Sequence, residues 1–190
     1  MNEKQERAFV FIDGGNFYFR LKDLASQIDS NLSLLGFDFR GFAENLVKPH
    51  SLAGVRYYIG AVKQRRGNDK SKKLYANQQR LIAKLQQQDI PVILGSIIQH
   101  PDDSYHEKGV DVRLAVEMIR FARQDKYDIA YLLSSDTDLV AAVEEVHSFN
   151  KEVIYTGTAK GQSFALTKEA DDTILLRADD IKPFLLKPLL

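Results

Sequence analysis

Short apolar runs, rich in β-branched and aromatic residues, alternate along this chain with longer stretches of helical periodicity. AFVFI (Ala8–Ile12), GVRYYIGAV (Gly54–Val62), PVILGSII (Pro91–Ile98), DIAYLLS (Asp128–Ser134) and EVIYTG (Glu152–Gly157) read as strands. Helical patterns are expected from Gly14 and Gly15 to about Ser26, near Phe39–Val47, over Leu74–Gln88, over Val110–Gln124 and over Leu139–Asn150. Leu74, Leu81 and Leu85 form one stripe of the third of these. A helix near Phe164–Ala170, an apolar run Thr173–Leu176 and the proline-punctuated tail IKPFLLKPLL follow. Continuous apolar strands between helices predict an α/β fold, a mainly parallel central sheet flanked by helices on both faces. Right-handed crossovers bring the strand C-termini to one edge, and open α/β sheets bind ligands there. No repeat or composition shift divides the chain, so one domain over residues 1–190 is expected, with a C-terminal extension from about 177.

Several chemistries are excluded by composition. The chain has no cysteine, which removes disulfides, thiolate zinc sites and cysteine nucleophiles and favours a cytoplasmic location. The polar start MNEKQER with its short apolar run does not resemble a signal peptide, and no run is long enough to span a membrane. Formal net charge is zero, so bulk charge gives no argument for nucleic acid and does not exclude a local basic patch. His50, His100, His106 and His147 lack zinc-type spacing.

The acidic residues are informative by position. Asp13 directly follows the first strand in FIDGGN, and Asp136 and Asp138 follow the fourth in LLSSDTD. Asp111 opens the helix after the third strand, in EKGVDV. Three segments thus aim carboxylates at one sheet edge. Two like charges about 4 Å apart repel by roughly 4 kcal/mol at an effective dielectric near 20, so an ionised cluster needs cations. Hard oxygen ligands select Mg²⁺ or Mn²⁺. One or two such ions suit phosphodiester hydrolysis, because they activate water and stabilise a phosphoryl group under attack. Asn16 is placed to orient a water or a phosphate oxygen, and Gly14 and Gly15 to allow a sharp turn and close approach to a ligand.

Each piece also has a purely structural explanation. Asp13 suits a helix N-cap, Ser135 with Asp138 fits a capping box, and Asp111 is favoured by a helix dipole. Capping alone requires no convergence of segments, and the convergence favours the metal site. Glu117 stands at helical spacing from Arg113 and Arg120, where an ion pair competes with a place at the outer margin of the metal site.

FIDGGN, KGVDVRLAVEM and LLSSDTDLVAAV, in this order, resemble the NYN domains, specifically the bacterial LabA-like branch, relatives of the PIN-domain ribonucleases. The similarity runs from about Phe9 to Gly157 and on toward Leu176. It implies a three-layer PIN-like α/β fold and an acidic site that binds Mg²⁺ or Mn²⁺ and cleaves RNA. By position, Asp13, Asn16, Asp111, Asp136 and Asp138 match the family's site pattern. Glu117 departs from it, standing where aspartate is frequent, as do Ser135 in place of glycine and Thr137 in place of serine.

RNA requires cationic contacts. Lys63, Arg65, Arg66, Lys70, Lys72 and Lys73 crowd the connector after the second strand, and Lys108 precedes Asp111 by three residues. The connector is equally readable as a solvated loop. Tyr57, Tyr58 and Tyr105 are candidates for base stacking, although alternation within a strand sends one of the first pair into the core. His100 and His106 flank PDDSY, where Asp102 and Asp103 suit a turn after Pro101.

Three functions compete. A metal-dependent endoribonuclease uses the whole acidic set. An RNA-binding or regulatory module keeps the fold with little turnover. A haloacid-dehalogenase-type phosphatase would use the D-x-D of LLSSDTD, but that motif belongs on a first strand, and Asp13 and Asp111 would go unexplained. Ser134 and Ser135 lack a nucleophile-elbow context. The sequence names no protein partner, and the apolar tail suits packing on its own domain or in a homo-oligomer.

Overall fold

The structure is a computed structural model that describes residues 5–62, 69–99 and 105–185, with the backbone alone for 96–99 and 105–108. In chain order, β1 (Arg7–Asp13), α1 (Gly14–Ile28), α2 (Phe39–Leu46), β2 (Ser51–Ile59), α3 (Asp69–Gln87) and β3 (Val92–Leu94) form the first half. After β4 (Ser96–Gln99) and β5 (Tyr105–Lys108) come α4 (Val110–Arg123), β6 (Ile129–Leu133), α5 (Val140–His147), β7 (Glu152–Thr158), α6 (Phe164–Glu169), β8 (Asp172–Leu176) and α7 (Ala178–Ile181). Six of these strands make an all-parallel sheet of order β3-β2-β1-β6-β7-β8.

Burial explains both the sheet and its layers. Along β1, Ala8, Val10 and Ile12 face one core, and Phe9 and Phe11 face the other, the two-residue period of a strand covered on both faces. The first core takes the apolar sides of α1, α2, α3 and α7, and the second those of α4, α5 and α6. β1 is central, and the chain winds outward from it in both directions, so crossovers part between β1 and β6. That is the topological switch point of the sheet.

Several boundaries differ from the sequence expectations. PVILGSII is not one strand. The Gly95 N–H makes a last bond to the Ile59 carbonyl at 3.0 Å, where β2 ends. Having lost its parallel partner, the chain leaves the sheet as β4, which pairs antiparallel with β5 in a separate ribbon. β2 starts earlier than Gly54 because the Ser51 N–H is already bonded to the Glu6 carbonyl at 2.9 Å. The helix expected from Leu74 begins at Asp69, and the one expected from Leu139 is preceded by a 3₁₀ turn, Thr137–Leu139, and ends at His147. The apolar run Thr173–Leu176 lies in edge strand β8.

The first half of the tail lies on its own domain. Ile181 and Leu185 are buried, the Phe184 ring meets Phe42 at 5.7 Å, and the Phe184 carbonyl accepts from the Asp38 N–H at 2.9 Å. Among the described residues, no helix is long and apolar enough to cross a membrane.

Candidate metal centre at the sheet switch point

Asp13 is the last residue of β1 and the N-cap of α1. Its Oδ1 accepts the Asn16 N–H at 3.1 Å, and its Oδ2 accepts the Ser134 hydroxyl at 2.7 Å. Ser134 follows β6, so the two central strands are joined through this one carboxylate at their C-terminal ends. The network continues outward. Ser134 Oγ accepts the Asp136 N–H at 3.1 Å, and Asp136 Oδ1 accepts the Asp138 N–H at 3.0 Å, capping the 3₁₀ turn. Ser135 donates to Asn16 Oδ1 at 2.8 Å, which leaves the Asn16 NH₂ as its donor to a ligand. The capping box expected of Ser135 and Asp138 therefore does not form. Asp136 takes the capping position and Ser135 turns to Asn16.

Asp111 reaches the same edge from α4. Gly109 precedes that helix with φ +83°, a left-handed conformation suited to glycine, and sets its direction. Asp13 and Asp111 line one cavity of about 330 Å³, walled also by Gly15, Ile59, Val62 and Gln78. Gly14 and Gly15 are helical and make no sharp turn. At Gly14 the gain is close approach, since an added Cβ would strike the buried Tyr57 ring and lie 2.7 Å from the Tyr58 carbonyl oxygen.

The electrostatics follow from this crowding. Burial pushes the Asp13 carboxyl above the ordinary carboxylate range, against the lowering by its Asn16 and Ser134 hydrogen bonds, and the Asp136 charge adds to the rise. Asp111 is pushed up by burial first, and then by the charges of Asp13, Asp136 and Asp138. Among the described residues, no lysine or arginine forms an ion pair with any of the four. The opposite edge of the sheet is different. There Arg7 grips Asp128 at 2.9 and 2.8 Å and Asp125 at 2.9 Å, and Lys151 joins both.

An oxygen-only donor set fits a hard divalent ion. Among the described residues, however, no three acidic or histidine side chains stand close enough to form a ready-made shell. The carboxylates share an edge and a field, and an ion held by three or more of them would require them to move closer together.

The other candidates separate clearly. Glu117 is paired, with Arg120 at 2.7 Å as expected and with Arg56 of β2 at 2.7 Å in place of Arg113, and it accepts the Tyr58 hydroxyl at 2.9 Å. Tyr57 and Tyr58 are both fully buried, one in each core, because β2 is an inner strand covered on both faces. Neither is exposed for stacking on a base. Lys70, Lys72 and Lys73 lie in the first turns of α3 and not in a loop, and Lys72 meets Asp69 at 3.3 Å. Lys63, Arg65, Arg66, His100, Asp102 and Asp103 lie outside the described residues, as do the side chains of Tyr105, His106 and Lys108. His50 faces Glu6 at 3.4 Å and His147 faces Asp171 at 3.0 Å, both away from the carboxylates.

Three residues contribute to the site without having been singled out for it in the sequence. Ser134 lacks a nucleophile-elbow context and Ser135 suits a capping box in the sequence, yet the two orient Asp13 and Asn16. Gln78 is buried; its Oε1 accepts the Val62 N–H at 2.7 Å and its Nε2 donates to the Gly60 carbonyl, which fixes the chain leaving β2 beside the cavity. Its spacing from Leu74, Leu81 and Leu85 puts it on their stripe, and that signal was available.

A three-layer parallel fold of this order, with acidic residues at its switch point, is the arrangement of the PIN-like nuclease superfamily. The chain belongs to the NYN domain family, whose model matches residues 7–177. Among solved structures, it resembles a protein of unknown function from Vibrio parahaemolyticus at 21% identity and TM-score 0.63, over 98% of this chain and 99% of that one. That likeness concerns the fold alone. A type I 3-dehydroquinate dehydratase from Clostridium difficile overlaps 83% of this chain and 53% of its own at 13% identity and TM-score 0.25, too low to carry a comparison. No curated protein matches the chain.

Proposed function

We propose that this NYN domain is a metal-dependent endoribonuclease of the LabA-like branch, acting through Mg²⁺ or Mn²⁺ held by Asp13, Asp111, Asp136 and Asp138. The observation that carries the proposal is the gathering of these four carboxylates, with no cationic partner among the described residues, at the switch point of a nuclease-superfamily sheet. A bound ion would supply Lewis-acid chemistry, easing proton loss from an attacking water and offsetting charge on the phosphoryl oxygens. The chain's own residues do the positioning. Ser134 and the Asn16 N–H hold the Asp13 carboxylate in one orientation. Ser135 turns the Asn16 amide so that its NH₂ is available to a phosphate oxygen. Asp136 is fixed by the turn it caps.

The test is cleavage of single-stranded and structured RNA in Mg²⁺ or Mn²⁺, wild type against Asp136→Asn. Cleavage by the wild type, reduced by roughly 100-fold in the variant, is expected. Equal cleavage by both proteins, or none by either, defeats the proposal. RNA binding without cleavage that survives Asp136→Asn would support a binding module instead.

A further inference from the structure

Beside the carboxylate cavity lies a larger groove of about 510 Å³ between α1 and α3, closed at one end by the turn around Leu34. The two spaces adjoin, with Gly15, Ile59, Val62 and Gln78 lining both. Its walls are of two kinds. Phe19 and Leu74 stand 67% and 51% exposed, with Tyr18 beside them, as an apolar surface open to solvent. Asn77, Ser33 and Lys22 place an amide, a hydroxyl and an ammonium around it, and Lys22 makes no ion pair among the described residues.

We propose that this groove is a nucleobase subsite, taking one unstacked base of an RNA strand whose phosphate lies at the carboxylates. The proposal rests on the ribonuclease function above and narrows its substrate to RNA that is single-stranded at the point of cleavage. Three features select a base over other occupants. The volume lies in the range of small-ligand sites, which hold their ligands by apolar walls with a few polar groups. Aromatic side chains with hydrogen-bonding groups at the edge are the means by which proteins hold splayed-out RNA bases. The shared wall with the acidic cavity sets the groove beside the place where a phosphate would sit, and Lys22 supplies charge of the sign that the neighbouring phosphate needs. A base paired in a duplex cannot leave its stack to enter without first being unpaired.

The test is equilibrium binding of a fluorescein-labelled single-stranded RNA 12-mer, with Ca²⁺ replacing Mg²⁺ to suppress turnover. The same strand is also measured with one abasic nucleotide placed at each position in turn. For the wild type, one abasic position is expected to weaken binding about tenfold, equivalent to ~1.4 kcal/mol. Phe19→Ala, at an exposed position, is expected to weaken the intact strand to a similar degree and to abolish the abasic effect, since the two changes remove one contact. Asn77→Ala, also exposed, should behave likewise with a smaller loss. Wild-type affinity in Phe19→Ala, full additivity of the two losses, or a lower oligomeric mass in the variant (the groove then being filled by a second copy) overturns the proposal. RNA cleavage in Mg²⁺ or Mn²⁺ is scored in parallel. Cleavage without coupling defeats the base subsite alone. Coupling without cleavage supports the subsite and defeats the ribonuclease reading.

Discussion

Asp13 and Asp128 are carboxylates at opposite ends of the central strand pair, and their environments act on them in opposite directions. Burial raises the Asp13 pKa, whereas hydrogen bonds from Arg7 hold Asp128 far below the ordinary range. For Asp13, both folded and unfolded forms are neutral below the unfolded pKa of about 3.9. As pH rises through the folded value, the folded state loses stability. Asp13→Asn in chelator is therefore expected to raise Tm by a few degrees at neutral pH, with the gain vanishing near pH 3. Mn²⁺ should raise the wild-type Tm more than the variant's. For Asp128, the stability is present above the unfolded pKa and is lost as pH falls toward the depressed folded value. Asp128→Asn is expected to cost about 1–2 kcal/mol at neutral pH, with the difference disappearing in acid. Urea denaturation and thermal melting across pH check both signs, and parallel pH profiles for the two variants would refute the contrast.

At the scale of elements, the start of α1 depends on how closely it approaches β2. Gly14→Ala would drive a methyl group into Tyr57 and the Tyr58 carbonyl, and Tyr57 is fully buried and unable to yield. Gly15→Ala would meet only Asp13 Oδ1, at an ordinary 3.5 Å. Gly14→Ala is expected to destabilise by about 1–3 kcal/mol and to abolish cleavage, with Gly15→Ala near neutral in stability, as read by denaturation and by the RNA assay. Equal effects would show that the close approach is unimportant. Elements were legible in the sequence where one force decided them. AFVFI runs directly into Asp13 and IAYLL is followed within three residues by Asp136, so the places of these carboxylates at and just beyond strand ends could be read directly. The break at Gly95 could not, because PVILGSII stays apolar on both sides and the break arises where β2 runs out of pairing partners. The Asp69 start of α3 was hidden by KSKK, whose charge resembles a solvated loop. The Ser134 contact joins residues 121 apart in sequence, and no local pattern encodes it.

At the scale of the whole molecule, a net charge of zero conceals an uneven distribution. One rim of the sheet is internally neutralised through Arg7, Asp125, Asp128 and Lys151. At the other rim, no described cation pairs with the four acids. Among the described residues the pairing of charge is thus lopsided, and on the proposed reading this favours an order of events in the reaction. A polyanion approaching four acids that no described cation neutralises is repelled by them, while a divalent cation is drawn to them. Loading of the ion should precede docking of the strand, so that the ion acts as the key that admits the substrate. In stopped-flow mixing, protein preloaded with Mn²⁺ is expected to capture labelled RNA without delay. Protein premixed with RNA in chelator, then given excess Mn²⁺, should show a lag set by the ion. Identical traces in both orders would remove the sequence of events, and with it the idea that the four acids guard their own site.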